Sequence, residues 1–382
     1  MEITVGIAGK PNAGKSTLFS AMTGTTVAIG DYQFTTTETT RGVSYIVTKC
    51  PHLELKHECS PKHGKCFSGR RYVPVDVLDI PGLIEGSGQG KGMGNQFMDS
   101  IRGASAMINL INPFNQEKER IPVDQLTNEA QEVENEIIIW FASRLGSEWE
   151  KFCRKVSHMN GPLEEKLIQK VGFFGIGQPE IRKILNSGNF PELLNSWGND
   201  EMTEFSRTAM TVIRPMERVV NKGDLIHDTS ELINSGLRVI SADYELSIQR
   251  AYSLGLITDM DSIEPTPKAN EKQSLALEKI RNEYRAGKLV RIQDVLTDLV
   301  KNRMENIVVY PVYDDGKWCD KDGNILPDAF IMKKGETALD LAFAVHTDIG
   351  NGFIRAVDGR TRMILGKTHE LKDSDVIRVV SR

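Results

Sequence analysis

The chain has 382 residues, with 47 Lys and Arg against 52 Asp and Glu, a formal net charge of −5 and a hydrophobic fraction of 40%. At about 100–200 residues per domain, two or three domains are expected, each able to bury its own core. No whole-chain attraction for polyanions exists, no apolar run approaches the ~18 residues of a membrane span, and five cysteines, an odd count, argue against a secreted disulfide framework. The expectation is a cytoplasmic protein with reduced thiols or a metal, no membrane partner, no DNA partner, and any RNA contact confined to a local patch.

The first element is an apolar run, Ile3 to Ala8, which predicts a strand. It leads into Gly9-Lys10-Pro11-Asn12-Ala13-Gly14-Lys15-Ser16-Thr17, and Leu18 to Met22 then reads as a helix. Strand, G-x-x-x-x-G-K-[ST] loop and helix together predict a phosphate cradle. Gly9 and Gly14 allow positive φ, so that amide N–H groups turn inward at a helix N-terminus whose dipole favours anions. Lys15 would reach the β- and γ-phosphates, and the Ser16 hydroxyl would coordinate Mg²⁺. Asn12, three residues before Lys15, can either shape the loop or place an amide oxygen on a potassium ion beside the phosphates.

Residues 30–42 follow as a loop in which Phe34-Thr35-Thr36-Thr37 offers hydroxyls to Mg²⁺ and γ-phosphate. Thr36 is chosen, with Thr35 and Thr37 as competitors. Next comes an insert, residues 48–70, with Cys50, His52, Cys59 and Cys66 in a C-x-H-x₆-C-x₆-C spacing. Soft thiolates plus imidazole suit Zn²⁺. The spacing is not that of a standard finger, His57 or His63 can replace His52, and reduced thiols in a surface loop are the plain alternative. Tyr72 to Leu78 alternates as a strand toward Asp79-Ile80-Pro81-Gly82, a D-x-x-G in which Asp79 would hold Mg²⁺ through water and the Gly82 amide would sense the γ-phosphate. Leu83 stands where many GTPases place a glutamine that orients water, so intrinsic hydrolysis is expected to be slow.

From Asn115 to Thr208 the chain changes to long, charged segments with apolar residues at three and four spacing, a predicted helical insertion. Helices are expected over 124–156, 162–171, 179–185 and 199–213. Trp140, Trp149 and Phe152 are expected in the core rather than on a partner surface. Val219-Val220 opens into Asn221-Lys222-Gly223-Asp224, where an N-K-x-D carboxylate can accept from guanine N1–H and N2–H₂. Adenine lacks that donor pair, and a site built on polar pairing rejects the unpaired analogue. Ser241-Ala242, after a second short strand, would bring backbone to guanine O6. Helices are then expected over 244–256 and 270–302. Residues 307–382 read strand, turn, strand, helix, strand, the order of a β-grasp module, and His346 at the helix end reads as a cap or packing residue.

These motifs closely resemble the Obg-related, YchF-like GTPases that carry a C-terminal TGS domain, and the likeness covers nearly all of the chain. It rests on the phosphate loop from Gly9, Tyr32-Gln33-Phe34-Thr35-Thr36, Asp79-Ile80-Pro81-Gly82-Leu83-Ile84-Glu85-Gly86, Gly90 to Phe97, Leu326 to Phe330, Lys334 to Ala338 and Val345 to Gly350. The resemblance implies Thr36 as the switch threonine and a hydrophobic residue at Leu83 as a family trait. Some relatives alter the base-reading motif and prefer ATP, whereas Asn221 to Asp224 keeps the guanine form. Asn112 departs from the aspartate often found there. A nucleotide-dependent switch associated with ribosome or RNA is implied, the TGS domain being the contact. From Ile307 on, the chain holds 11 Lys and Arg against 12 Asp and Glu. The local cluster Arg355, Arg360, Arg362 and Lys367 can meet phosphates there, a solvated loop being the plain alternative.

The expected architecture is therefore α/β. A P-loop NTPase with a mostly parallel sheet covers 1–115 and 208–304, a helical insertion covers 116–207, and a TGS β-grasp domain covers 305–382. The expected ligands are GTP/GDP and Mg²⁺, with K⁺ and Zn²⁺ as further candidates. The rival readings are an RNA- or ribosome-binding module whose nucleotide is structural, and an ATP-hydrolysing relative.

Overall fold

The computed structural model describes residues 3–24, 40–55, 57–80 and 101–382. Within these the strands are β1 (Thr4–Ala8), β2 (Thr40–Lys49), β3 (Lys65–Phe67), β4 (Arg70–Asp79), β5 (Ala106–Ile111), β6 (Met216–Val220), β7 (Arg238–Val239), β8 (Asn306–Val312), β9 (Phe330–Lys333), β10 (Phe353–Asp358), β11 (Ile364–Leu365) and β12 (Val376–Ser381). Two compact units emerge: Thr4–Gly42 with Val77–Val290, and Met1–Ile3 with Val43–Asp76 and Arg291–Arg382. Residues 48–70, which the sequence assigns as an insert of the nucleotide domain, thus cluster with the C-terminal residues.

In the first unit, β1, β5, β6 and β7 run parallel in that order, with Ile7 opposite Ile108, Leu110 opposite Val219 and Val220 opposite Val239. The end of β4 lies on the other side of β1, where the Ile80 N–H donates to Ile7 O at 3.2 Å. Every residue of β1 and β5 is buried, as expected of parallel strands covered on both faces. Their near-continuous apolar runs give the mostly parallel sheet that the sequence predicts.

The inserted helices are Val123–Gly146, Trp149–Val156, Leu163–Val171, Gln178–Ser187 and Asn199–Ile213. The predicted 124–156 helix is broken, because Ser147 leaves helical geometry and Glu148 takes φ 52 before the chain restarts at Trp149. Periodicity continues across the break, which hides it in the sequence. Trp140, Trp149 and Phe152 are buried, so the core expectation holds. Trp149 stacks on Trp197 with ring centroids 5.7 Å apart, and Trp197 meets Phe205 at 5.5 Å. Each indole N–H finds a carbonyl, Trp149 Nε1 donating to Leu194 O at 3.1 Å and Trp197 Nε1 to Pro191 O at 2.9 Å.

The predicted 270–302 helix is also interrupted: Glu271–Arg285 ends near Gly287 at φ 71, and Ile292–Asp298 begins anew. In the second unit, β11-β10-β12-β8-β9 form a five-stranded sheet with β8 and β12 parallel at its centre, Tyr310 opposite Val376. The helix Ala338–Val345 packs its Ala338 and Leu341 into a core with Ile307, Val309, Ala356 and Ile377. This is the β-grasp order that the sequence predicts. His346 is a cap, its Nδ1 accepting from the Asp348 N–H at 3.1 Å. Of the candidate phosphate-binding cluster, Arg360 grips Glu54 through two bonds of 2.7 and 2.8 Å and Arg362 pairs with Asp315. Arg355 and Lys367 are exposed and have no partner among the described residues.

Candidate nucleotide-binding site

The loop after β1 takes the conformation its glycines permit. Gly9 has φ 148 and Gly14 φ 92, and a Cβ on either would sit 2.3 Å from Leu110 O or from Asn221 Nδ2. Both positions therefore exclude side chains by strain and by space. Asn12 takes φ 61, a region that asparagine tolerates better than most residues. Pro11 and Asn12 are exposed, Ala13 is buried, and the helix Lys15–Thr23 starts directly behind them with Thr17 half-buried in its first turn.

Lys15 folds back over the loop, its Nζ donating to Gly9 O at 3.1 Å and Lys10 O at 3.0 Å. Burial pushes its ammonium down to about 8, partly opposed by the nearby negative charge of Asp79. A buried cation held by two carbonyls is positioned to meet an anion that enters the loop. Ser16 Oγ donates to Asp79 Oδ2 at 2.9 Å, which places a hydroxyl and a carboxylate side by side at the helix N-terminus. Hard oxygen donors of this kind fit Mg²⁺, which takes one or two protein oxygens and completes its shell with phosphate and water.

The segment 221–224 is tied to the candidate phosphate loop by one side chain. Asn221 Nδ2 donates to Ala13 O at 2.8 Å, and its Oδ1 accepts from the Ala242 N–H at 2.8 Å. The amide that the sequence assigns to guanine O6 is thus held by Asn221, and Asn221 itself acts as a brace among three loops. Lys222 takes φ 58, and the Gly223 N–H donates to Ile240 O at 2.9 Å, which fixes the turn that carries Asp224. Asp224 Oδ1 is buried with no hydrogen-bond partner among the described residues. Such an orphan acceptor costs about 1–3 kcal/mol unless a ligand donates to it, and guanine offers N1–H and N2–H₂. Ser241 caps the helix Ala242–Ser253, its Oγ accepting from the Tyr244 N–H at 3.1 Å. Sequence reasoning missed Asp243, whose carboxyl is pushed up by burial and by the negative charge of Asp224. Its one signal is its place directly after Ser241-Ala242.

Lys15, Ser16, Asp79, Asn221 and Asp224 are thus brought to one edge of a single unit. Thr36, Gly82 and Leu83 lie outside the described residues. A second cluster gathers Cys50, His52, Cys59 and Cys66, whose ligand atoms all lie within 4.8 Å of one another. Of the alternative fourth ligands, His63 pairs instead with Asp328 at 2.8 Å, and His57 is exposed.

Comparison with known proteins agrees with this geometry. The family described as 50S ribosome-binding GTPase matches residues 4–143, a G4 motif-containing domain of an Obg-like GTPase matches 219–314, and the TGS domain matches 321–381. An uncharacterized GTP-binding protein of Methanocaldococcus jannaschii is 34% identical over 99% of this chain and 98% of its own length. The ribosome-binding ATPase YchF of Escherichia coli O157:H7 is 24% identical over 93% of this chain and 88% of its own. The crystal structure of a GTP-binding protein from Pyrococcus horikoshii OT3 matches over 100% of both chains with 28% identity and a TM-score of 0.77. With the loop after β1, the Asn221 brace and the β-grasp domain all in place, the chain belongs to the YchF/Obg-like family of P-loop GTP-binding proteins with a TGS domain.

Proposed function

We propose that this protein binds GTP in preference to ATP, hydrolyses it slowly to GDP and phosphate, and acts as a nucleotide-dependent switch that associates with the ribosome or its RNA in the cytoplasm. Among the described residues no helix is long and apolar enough to cross a membrane. In this reading residues 1–115 and 208–304 form the nucleotide domain, apart from 43–76 and 291–304, which cluster with the C-terminal residues, while 116–207 form the helical insertion and 305–382 the TGS domain.

The buried, unpartnered Asp224 Oδ1 is the observation that carries the guanine preference. Lys15 and the loop N–H groups between Gly9 and Thr17, Pro11 having none, hold the phosphates. Ser16 and Thr36 would hold Mg²⁺, with Asp79 behind through water and Gly82 reporting the γ-phosphate. The metal, when bound, neutralises charge on the β- and γ-oxygens. No side chain serves as nucleophile, since water attacks. Leu83 cannot orient that water, which makes turnover slow. Asn12 would hold a potassium ion that offsets charge developing between the phosphates.

Relatives 24% identical are named ATPases, so ATP is the second reading. Calorimetric titration with each triphosphate decides between them. GTP should bind at least about a hundredfold tighter than ATP, and Asp224→Ala should remove most of that preference while both nucleotides still bind weakly through the phosphate loop. Equal heats for both purines in the parent protein would overturn the guanine assignment.

A further inference from the structure

The cluster built by the 48–70 insert is independent of the nucleotide site. Cys50 sits at the end of the β2 segment, its N–H donating to Gly69 O at 2.8 Å, and the short 3₁₀ turn Pro51–Glu54 carries His52 back toward it. Cys66 lies on β3, directly opposite Arg71 of β4. Cys59 reaches the same point from the loop between them. Cys50 Sγ and Cys59 Sγ are 3.8 Å apart, and Cys66 Sγ and His52 Nδ1 are 3.5 Å apart.

Those two separations match two edges of a tetrahedral zinc site, and all four ligand atoms lie within 4.8 Å of one another. With Zn–S near 2.3 Å and Zn–N near 2.0–2.1 Å, tetrahedral angles require about 3.8 Å between two sulfurs and about 3.5 Å between sulfur and nitrogen. A Cys50–Cys59 disulfide would instead draw two sulfurs to about 2.05 Å and give Cys66 and His52 no role.

A second observation concerns charge. Arg71 is fully buried, and its guanidinium donates to Leu326 O at 2.9 Å and Pro327 O at 3.0 Å while NH1 lies 4.0 Å from Cys59 Sγ. Among the described residues no carboxylate accompanies it. A buried cation facing two carbonyls, a sulfur and the Tyr310 ring at 5.9 Å is costly, because no anion neutralises it. Three thiolates and a neutral imidazole around Zn²⁺ carry a net charge of −1, which Arg71 offsets.

We propose that Cys50, His52, Cys59 and Cys66 bind one structural zinc ion, and that Arg71 links this centre to the Leu326-Pro327 backbone so that the metal fastens the insert to the β-grasp domain. Four protein donors close the tetrahedron, so the ion has no open position for catalysis. The fastening continues through the backbone, where the Ser60 N–H donates to Ile325 O at 2.8 Å and the Lys62 N–H to Pro327 O at 2.9 Å.

The test uses the full-length protein purified without added metal. Elemental analysis should give about one equivalent of zinc, retained in His63→Ala and lost in Cys66→Ser. Should Cys66→Ser fail to fold, cobalt exchanged into the parent protein decides the matter: intense tetrahedral d–d bands with a thiolate charge-transfer band support the site, and a pale octahedral spectrum or no uptake overturns it. Stripping the metal with a chelator should raise hydrogen exchange at the Ser60 and Lys62 amides at least about tenfold, whereas unchanged exchange overturns the fastening role.

Discussion

Asn12 shows how one residue can carry two explanations that a single variant separates. Its φ of 61 is a conformation that asparagine and glycine accept more readily than other residues, which accounts for asparagine here without any ligand. The cation role needs the side-chain oxygen as well. Asn12→Gly keeps the backbone freedom and removes only the oxygen, so it isolates the second explanation. Turnover of GTP by the parent protein should be faster in potassium than in sodium, and Asn12→Gly should bind GTP as before yet lose the potassium advantage. Equal parent rates in the two salts would remove the cation from the mechanism. The brace made by Asn221 illustrates the opposite case, a role that its motif does not announce. N-K-x-D is legible because guanine pairing demands those residue types in that order. That the amide of Asn221 would join Ala13, 208 positions away, is set by the packing of three loops and has no local signal.

At the scale of elements, the helical insertion was legible in kind and not in its breaks. Apolar residues at three and four spacing placed the helices correctly, because each must turn one face to a core. The break at Ser147 and Glu148 escaped, since the pattern stays in register on both sides of it. The Cys/His insert was readable as a metal candidate, yet only the structure distinguishes His52 from His63, because the choice depends on Asp328, 265 positions from His63. The aromatic centre of the insertion yields a direct stability prediction. Trp197 is 4% exposed and packs against Trp149, Phe190 and Phe205. Trp197→Ala should therefore cost about 3–5 kcal/mol in denaturant unfolding through lost burial and a residual cavity. Ile139, on the long helix but 50% exposed, is the control, and Ile139→Ser should change stability by no more than about 0.5 kcal/mol. Equal losses for the two variants would count against Trp197 as a packed part of this aromatic core.

For the whole molecule, charge bounds how a ribosome could be held. The chain is net negative, its C-terminal residues from Ile307 carry 11 basic against 12 acidic side chains, and Arg360 and Arg362 are already paired with Glu54 and Asp315. Arg355 and Lys367 are what the β-grasp domain still offers to phosphate from the predicted cluster. Counterion release then fixes the expected salt response, because each neutralised phosphate contributes a slope of about −0.7 to −0.9 in log affinity against log salt. Co-sedimentation with ribosomes in the GTP state should show a slope of about −1.4 to −1.8, far shallower than the roughly −10 of a strongly basic nucleic-acid binder. The double variant Arg355→Ala with Lys367→Ala should flatten that slope, and the GDP state should sediment less than the GTP state at every salt concentration. A slope left unchanged by the double variant would rule out this pair as the phosphate contact, since no other pair from the predicted cluster is exposed and uncommitted.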